Sequence, residues 1–184
     1  MFVVLGLGSN RGFGSFDSVH LLARASFLLS GALSNFRSSS VYRTKPMYFE
    51  NQGDFLNMAV SGDWDGSPHE LLSRIHEIES LLGRDRGSEI KNGPRAIDID
   101  IELFGGEEIS FHDPENPMNN LEIPHPRLSD RAFVLIPLLE VLPENADIKG
   151  RDFFEKSLIK IGGQGAEICF SSSEFAEILA RAGA

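Results

Sequence analysis

Apolar residues recur along the chain in two rhythms, and the switches between them predict its elements. MFVVLGLG is a short apolar run closed by glycine, the mark of a buried strand. From Ser15 to Ser30 the spacing changes: Val19, Leu22, Ala23 and Leu29 fall near helical intervals, and Gly31 supplies the stop. SSSVYR predicts a strand that ends before Pro46, and KPMYFENQGD, with Pro, Gly, Asn and Asp, predicts a loop. FLNMAVSGDW alternates, which sets Phe55, Asn57 and Ala59 on one face and Leu56, Met58 and Val60 on the other.

The clearest helix comes next. Ser67 is placed to cap it, Pro68 fits the first helical position, and Glu70 completes a capping box. Leu71, Leu72, Ile75, Ile78 and Leu82 form its apolar stripe, and Gly83 ends it. AIDIDIELF then alternates strictly, with Ile97, Ile99, Ile101 and Leu103 facing one way and Ala96, Asp98, Asp100 and Glu102 the other. A turn at Gly105–Gly106, a loop over FHDPENPMNN and a helix within Ser129–Leu142, bounded by Pro143, complete this part. The order β, α, β, β, α, β, then a hairpin and more helix, predicts an α+β, ferredoxin-like sandwich with a mostly antiparallel sheet. Beyond Gly150 a helix around Phe153–Ile161 and a serine-capped helix after Ser173 form an extension. The expectation is one domain over residues 1–184, with a core through 149 and an extension from 150.

Composition narrows the class. The chain has 184 residues, 41% of them hydrophobic and 24% charged, as ordinary globular proteins have. No apolar run approaches the ~20 residues of a membrane-spanning helix, and MFVVLGLGSNRG lacks the basic start of a secretory signal. Cys169 is the lone cysteine, so disulfide frameworks are excluded and a cytoplasmic setting is expected. The net charge is −10, which argues against nucleic acid or an anionic membrane as partner. Against that background Arg84, Arg86, Lys91 and Arg95 crowd into GRDRGSEIKNGPR, either a solvated loop or an anion site.

The strand after this loop bears on that choice. Asp98 and Asp100 share a strand face at ~6.5–7 Å between Cα atoms, where two carboxylates repel unless a positive charge or water intervenes. A solvated pair is the plain alternative. Beside several arginines, the pair fits a Mg²⁺–polyphosphate site, because Mg²⁺ takes one or two carboxylates plus water and phosphate oxygens. IPHPRLSDRAF adds His125 between prolines, with Arg131 and Phe133 at a helix start. Gly6, Gly8 and Gly12 do not make a dinucleotide fingerprint, because Arg11 holds the third glycine position. No P-loop and no serine-hydrolase elbow is present.

Taken in order, LGLGSNRG, SSVYRTKPM, FLNMAV, EIESLLGRDR, GPRAIDIDI and IPHPRLSDRAFVLIPL resemble the blocks of the 6-hydroxymethyl-7,8-dihydropterin pyrophosphokinases, over about Met1 to Pro143. The resemblance implies transfer of the terminal diphosphate of ATP to a pterin alcohol, releasing AMP, on a ferredoxin-like fold. It implies that Asp98 and Asp100 hold two Mg²⁺ ions and that Arg84 and Arg95 act in catalysis. It further implies an ATP site of His76, Glu79, Arg84, Arg86, Arg95, Ile101, His125 and Arg131. The pterin would stack between Phe55 and Phe133, with Asn57 on its amide edge and Thr44, Lys45 and Met47 alongside. A monomer is expected. Asn92, Lys45, Pro126 and Glu122 depart from the family's usual residues and bear on loop closure and ribose contacts. Two competitors are a palm-like nucleotidyl transferase, which would not need the FLN strand, and a non-catalytic binding module, which would not need Asp98, Asp100, Arg84 and Arg95 together. The loop from Arg84 to Arg95 is expected to close over the nucleotide.

Overall fold

The computed structural model describes residues 1–47, 51–87, 93–143 and 150–183. The apolar run at the start becomes β1 (Phe2–Ser9), which lies inside an antiparallel sheet between β4 and β5. α1 (Ser18–Ser30) crosses over to β2 (Ser34–Ser38) and β3 (Val41–Thr44); β4 (Phe55–Asp63) returns beside β1. α2 (Pro68–Leu81) then leads to β5 (Asp98–Phe104) on the other side of β1. The order β5-β1-β4-β3-β8, with β2 also on β4, contains the ferredoxin-like arrangement. β6 (Ile109–Phe111) and β7 (Leu121–Ile123) form the separate hairpin, and α3 (Ala132–Val141) follows. α4 (Arg151–Ile161), β8 (Glu167–Phe170) and α5 (Ser172–Ala182) make up the extension.

Each face of the sheet has its own core. Val3, Leu5 and Leu7 of β1, Met58 and Val60 of β4, and Ile99 and Ile101 of β5 pack against α1, α2 and Phe175 of α5. On the opposite face Val4, Ala59 and Leu103 pack against Val134, Leu135, Leu138 and Val141 of α3 and Phe154 of α4. The phases expected for β4 and the capping box of α2 are both found.

Four local expectations are corrected. α1 starts at Ser18 rather than Ser15, because Asp17 caps it by accepting from His20 N–H at 3.0 Å. SSSVYR is not one strand: Ser39 Oγ accepts from Ala59 N–H at 2.9 Å, a side chain standing in for a ladder carbonyl, and β2 and β3 separate there. Leu103 leaves the face of Ile99 and Ile101. Leu5 pairs with Ile101 and Val4 with Leu103, so Glu102 is the extra residue of a β-bulge that reverses the phase behind it. The extension also contributes a strand, β8, paired antiparallel with β3.

Gly83 follows α2 with φ +88°, and a Cβ there would lie 2.3 Å from ring atoms of Phe13. Gly83→Ala is therefore expected to lower unfolding stability by roughly 1–3 kcal/mol. Urea denaturation reads this directly, and an unchanged midpoint would contradict the strain.

Candidate active site

α2 ends where the site begins. The turn at Gly83 brings Arg84 back so that its N–H donates to the Glu79 carbonyl at 2.9 Å. Glu79 is only 1% exposed, and a carboxylate so buried has to be hydrogen-bonded. It accepts from the Ile99 N–H of β5 at 2.8 Å, from Arg86 Nε at 3.1 Å and from Arg84. Arg84 also donates to one oxygen of Asp98, and Arg95 donates to the other. Charge thus alternates along Arg86–Glu79–Arg84–Asp98–Arg95, joining the flanks of the basic loop to α2 and β5. Burial alone would raise the Asp98 carboxyl, but the Arg84 and Arg95 guanidiniums outweigh it and hold it below its usual range. Asp100 has no ion pair among the described residues. Burial, then the charges of Asp98 and Glu79, push it up to about 7.

Two spaces open on either side of Asp100, which lines both. The first is an aromatic cavity on the α3 side of the sheet. Gly6 and Gly8 leave its floor bare: a Cβ at Gly6 would lie 2.8 Å from Glu102 Oε1, and one at Gly8 would lie 3.2 Å from Asn57 Oδ1. Phe55, Phe133, Met47 and Lys45 stand among its walls. Asn57, 6% exposed, donates through Nδ2 to Thr44 Oγ1 at 2.8 Å, which leaves Oδ1 beside Gly8. The Arg131 guanidinium stacks 5.5 Å over the Phe133 ring. Arg131 Nε and Glu102 Oε2, on two residues that line this cavity, are buried without a hydrogen-bond partner among the described residues. Glu102 is pushed well up, by burial first and then by Asp100, against the pull of Arg131.

The second space is an open cleft between α2, β5 and the β6–β7 hairpin. His76, Arg86, Ile101, His112, Glu122, His125 and Pro126 line it. Burial, reinforced by Arg86 and Arg84, lowers His76 to about 4; burial, reinforced by Arg131 and Arg127, does the same for His125. Both imidazoles are therefore neutral at pH 7, offering hydrogen bonds rather than charge.

The residues singled out in the sequence fall into these spaces unevenly. Thr44, Lys45, Met47, Phe55, Asn57, Phe133, Arg95, Asp98 and Asp100 line the aromatic cavity. Arg131, expected with the nucleotide, lines that cavity too. Glu79 and Arg84 line neither space; they sit in the wall, where Glu79 orders the two arginines and the β5 backbone. Ser88 to Asn92, with Lys91, lie outside the described residues, so the expected closure of the loop does too. In the sequence Glu102 is legible only as a third acid in phase with Asp98 and Asp100. Nothing local points to its bulge.

Among the described residues no group of three or more His, Cys, Asp or Glu forms a metal cage. The donor set fits a hard cation that draws its other ligands from water and phosphate, since Asp98 and Asp100 offer carboxylate oxygens and no softer ligand.

An aromatic cavity and a polar cleft thus meet at Asp100 on a ferredoxin-like sheet. The chain belongs to the 7,8-dihydro-6-hydroxymethylpterin-pyrophosphokinase family, whose model matches residues 4–143. It is 41% identical over 139 residues to the 2-amino-4-hydroxy-6-hydroxymethyldihydropteridine pyrophosphokinase of Bacillus subtilis, covering 74% of this chain and 75% of that one. It is 40% identical over 141 residues to the enzyme of the same name from Aquifex aeolicus, covering 77% and 80%. The fold matches Plasmodium falciparum HPPK-DHPS with a TM-score of 0.61 at 19% identity, over 87% of this chain and 44% of that one. The chain thus spans under half the length of that protein. Membership makes it an ATP-dependent diphosphotransferase of folate synthesis. Among the described residues no helix is long and apolar enough to cross a membrane.

Removing the hub should be costly. Glu79→Ala leaves two guanidiniums and the Ile99 N–H without their acceptor, and a loss of roughly 3–5 kcal/mol in unfolding stability is expected. A loss under ~1 kcal/mol by urea titration would show that the wall does not depend on this carboxylate.

Proposed function

We propose that the aromatic cavity takes 6-hydroxymethyl-7,8-dihydropterin, that the cleft takes ATP, and that transfer occurs where the two meet. The observation that supports this most is Asp100 lining both spaces, because the reacting groups have to be held within contact distance of each other. The pterin ring would lie between Phe55 and Phe133. Asn57, its amide turned by Thr44, would pair with the ring's amide edge, with main-chain groups of Thr44 and Met47, beside Lys45, completing the set. In the cleft, neutral His76 and His125, Arg86 and the Ile101 main chain would bind the nucleotide. The reading takes the protein as a monomer, and the free Cys169 is in keeping with a cytoplasmic setting.

The pterin alcohol oxygen bonds to the β-phosphorus of ATP, and the bond from that phosphorus to the α,β-bridging oxygen breaks. AMP leaves with the electron pair, and the alcohol proton passes to solvent. Two Mg²⁺ ions held by Asp98 and Asp100 would supply charge neutralisation and orientation of the phosphates. Arg84 and Arg95 would neutralise charge on the transferred group; their ion pairs with Glu79 and Asp98 support this by gathering both guanidiniums beside the Asp98 carboxylate. Arg131 would hold the pterin-side wall while its charge reaches Asp100.

Supplying ATP, Mg²⁺ and the pterin should release AMP with the pterin diphosphate; pyrophosphate release or no product would overturn the reading. Asp100→Asn is expected to cut that rate at least ~100-fold with the fold retained. A mutant with near wild-type AMP release at saturating Mg²⁺ would remove Asp100 from the reaction.

Asn57→Ala separates the two substrates. Its loss should weaken pterin binding by about 10–100-fold, the effect of leaving polar groups unpaired in a buried site, with ATP binding little changed. Equal losses for both ligands in calorimetry would mark Asn57 as structural.

A further inference from the structure

α3 carries a wall of the aromatic cavity but does not cap itself. Its N-cap position is Arg131, whose side chain makes no capping bond. A residue from the extension fills the gap. The Ala132 N–H donates to Gln164 Oε1 at 3.0 Å, and Gln164 Nε2 donates to the Asp130 carbonyl at 3.1 Å. One side-chain amide therefore bridges the backbone on both sides of Arg131, immediately before Phe133. The turn that presents it is specialised: Gln164 has φ +47°, between Gly162 at +68° and Gly165 at +73°. A non-glycine residue in the left-handed region persists where its surroundings select it. At the other end of α3, Arg151 Nη2 donates to the carbonyls of Leu139 at 2.9 Å and Leu142 at 3.1 Å. Both capping residues lie beyond the family match at residues 4–143.

We propose that Gln164 is a positioning residue for the pterin cavity, fixing the 130–132 backbone so that Arg131 and Phe133 present a pre-set wall. This rests on the reading of that cavity as the pterin site. Gln164 touches no substrate; it acts through the helix start. Gln164 is exposed and its turn lies outside both cores, so its variants are expected to fold, which circular dichroism checks.

Three proteins test this: wild type, Gln164→Gly and Gln164→Glu. Glycine keeps the left-handed turn and removes the amide; glutamate keeps an acceptor for the Ala132 N–H while setting a carboxylate against the Asp130 carbonyl. Gln164→Gly should raise the pterin KM about 3–20-fold, the range of one or two partly exposed hydrogen bonds, and leave the ATP KM unchanged. Gln164→Glu should fall between. Hydrogen exchange at the Ala132 amide should quicken in Gln164→Gly. An unchanged pterin KM in an active enzyme, equal rises in both KM values, or unchanged Ala132 exchange would each overturn the proposal. A wild type that binds no pterin in calorimetry would instead overturn the reading of the cavity, and this proposal with it.

Discussion

β1 buries Val3, Leu5 and Leu7 under α1 and α2, while its other face carries Val4, Gly6 and Gly8, and that asymmetry decides where a ligand can lie. Helices pack on both faces of the sheet, yet α3 covers only the part opposite Val4, Ala59 and Leu103. Beyond α3 the floor is bare backbone. A side chain at Gly6 or Gly8 would meet Glu102 or Asn57, so the glycines and those two polar groups are mutually dependent. The cavity results from leaving one strand face without side chains next to strands that aim polar groups into the space.

The same economy of contacts governs the charge. Arg84, Arg86 and Arg95 are held by Glu79 and Asp98, which gives each a fixed anchor. Glu79 is the more deeply set of the two anchors, being buried and tied to the β5 backbone at Ile99. Asp98 is partly exposed and lines the cavity, and Asp100 lies near it with excess negative charge around it. The wall therefore gives Arg84 two partners, the fully buried Glu79 and the partly exposed Asp98.

Much of this is legible in the sequence where the signal is local. The phase of β4 puts Phe55 and Asn57 together, the capping box fixes the start of α2, and D-x-D spacing puts two carboxylates on one face. The features that escape sequence reading depend on distant partners. The bulge at Glu102 is a matter of how β5 registers on β1, and strict alternation in AIDIDIELF gives no hint of it. The break at Ser39 needs Ala59 across the sheet. Family resemblance implies that Glu79 contacts the nucleotide; that it also accepts from the β5 backbone at Ile99 and from Arg86 depends on long-range pairing its local sequence does not announce.

The extension shows why such long-range contacts matter to the site. Glu140 of α3 accepts from the Ser40 N–H at 3.0 Å and from its hydroxyl at 2.9 Å, and also from the Tyr42 hydroxyl of β3. The Ser40 hydroxyl in turn accepts from Ser172 N–H at the start of α5, at 3.1 Å. β8 meanwhile lies against β3, the strand whose Thr44 orients Asn57. Residues on both sides of the aromatic cavity, Phe133 on α3 and Asn57 through β3, are thus braced by the same C-terminal segment. A helix with Pro137 in its interior and no cap of its own needs that bracing to hold one geometry. A cavity whose opposite walls share a brace is thus held at its width by contacts that lie outside it.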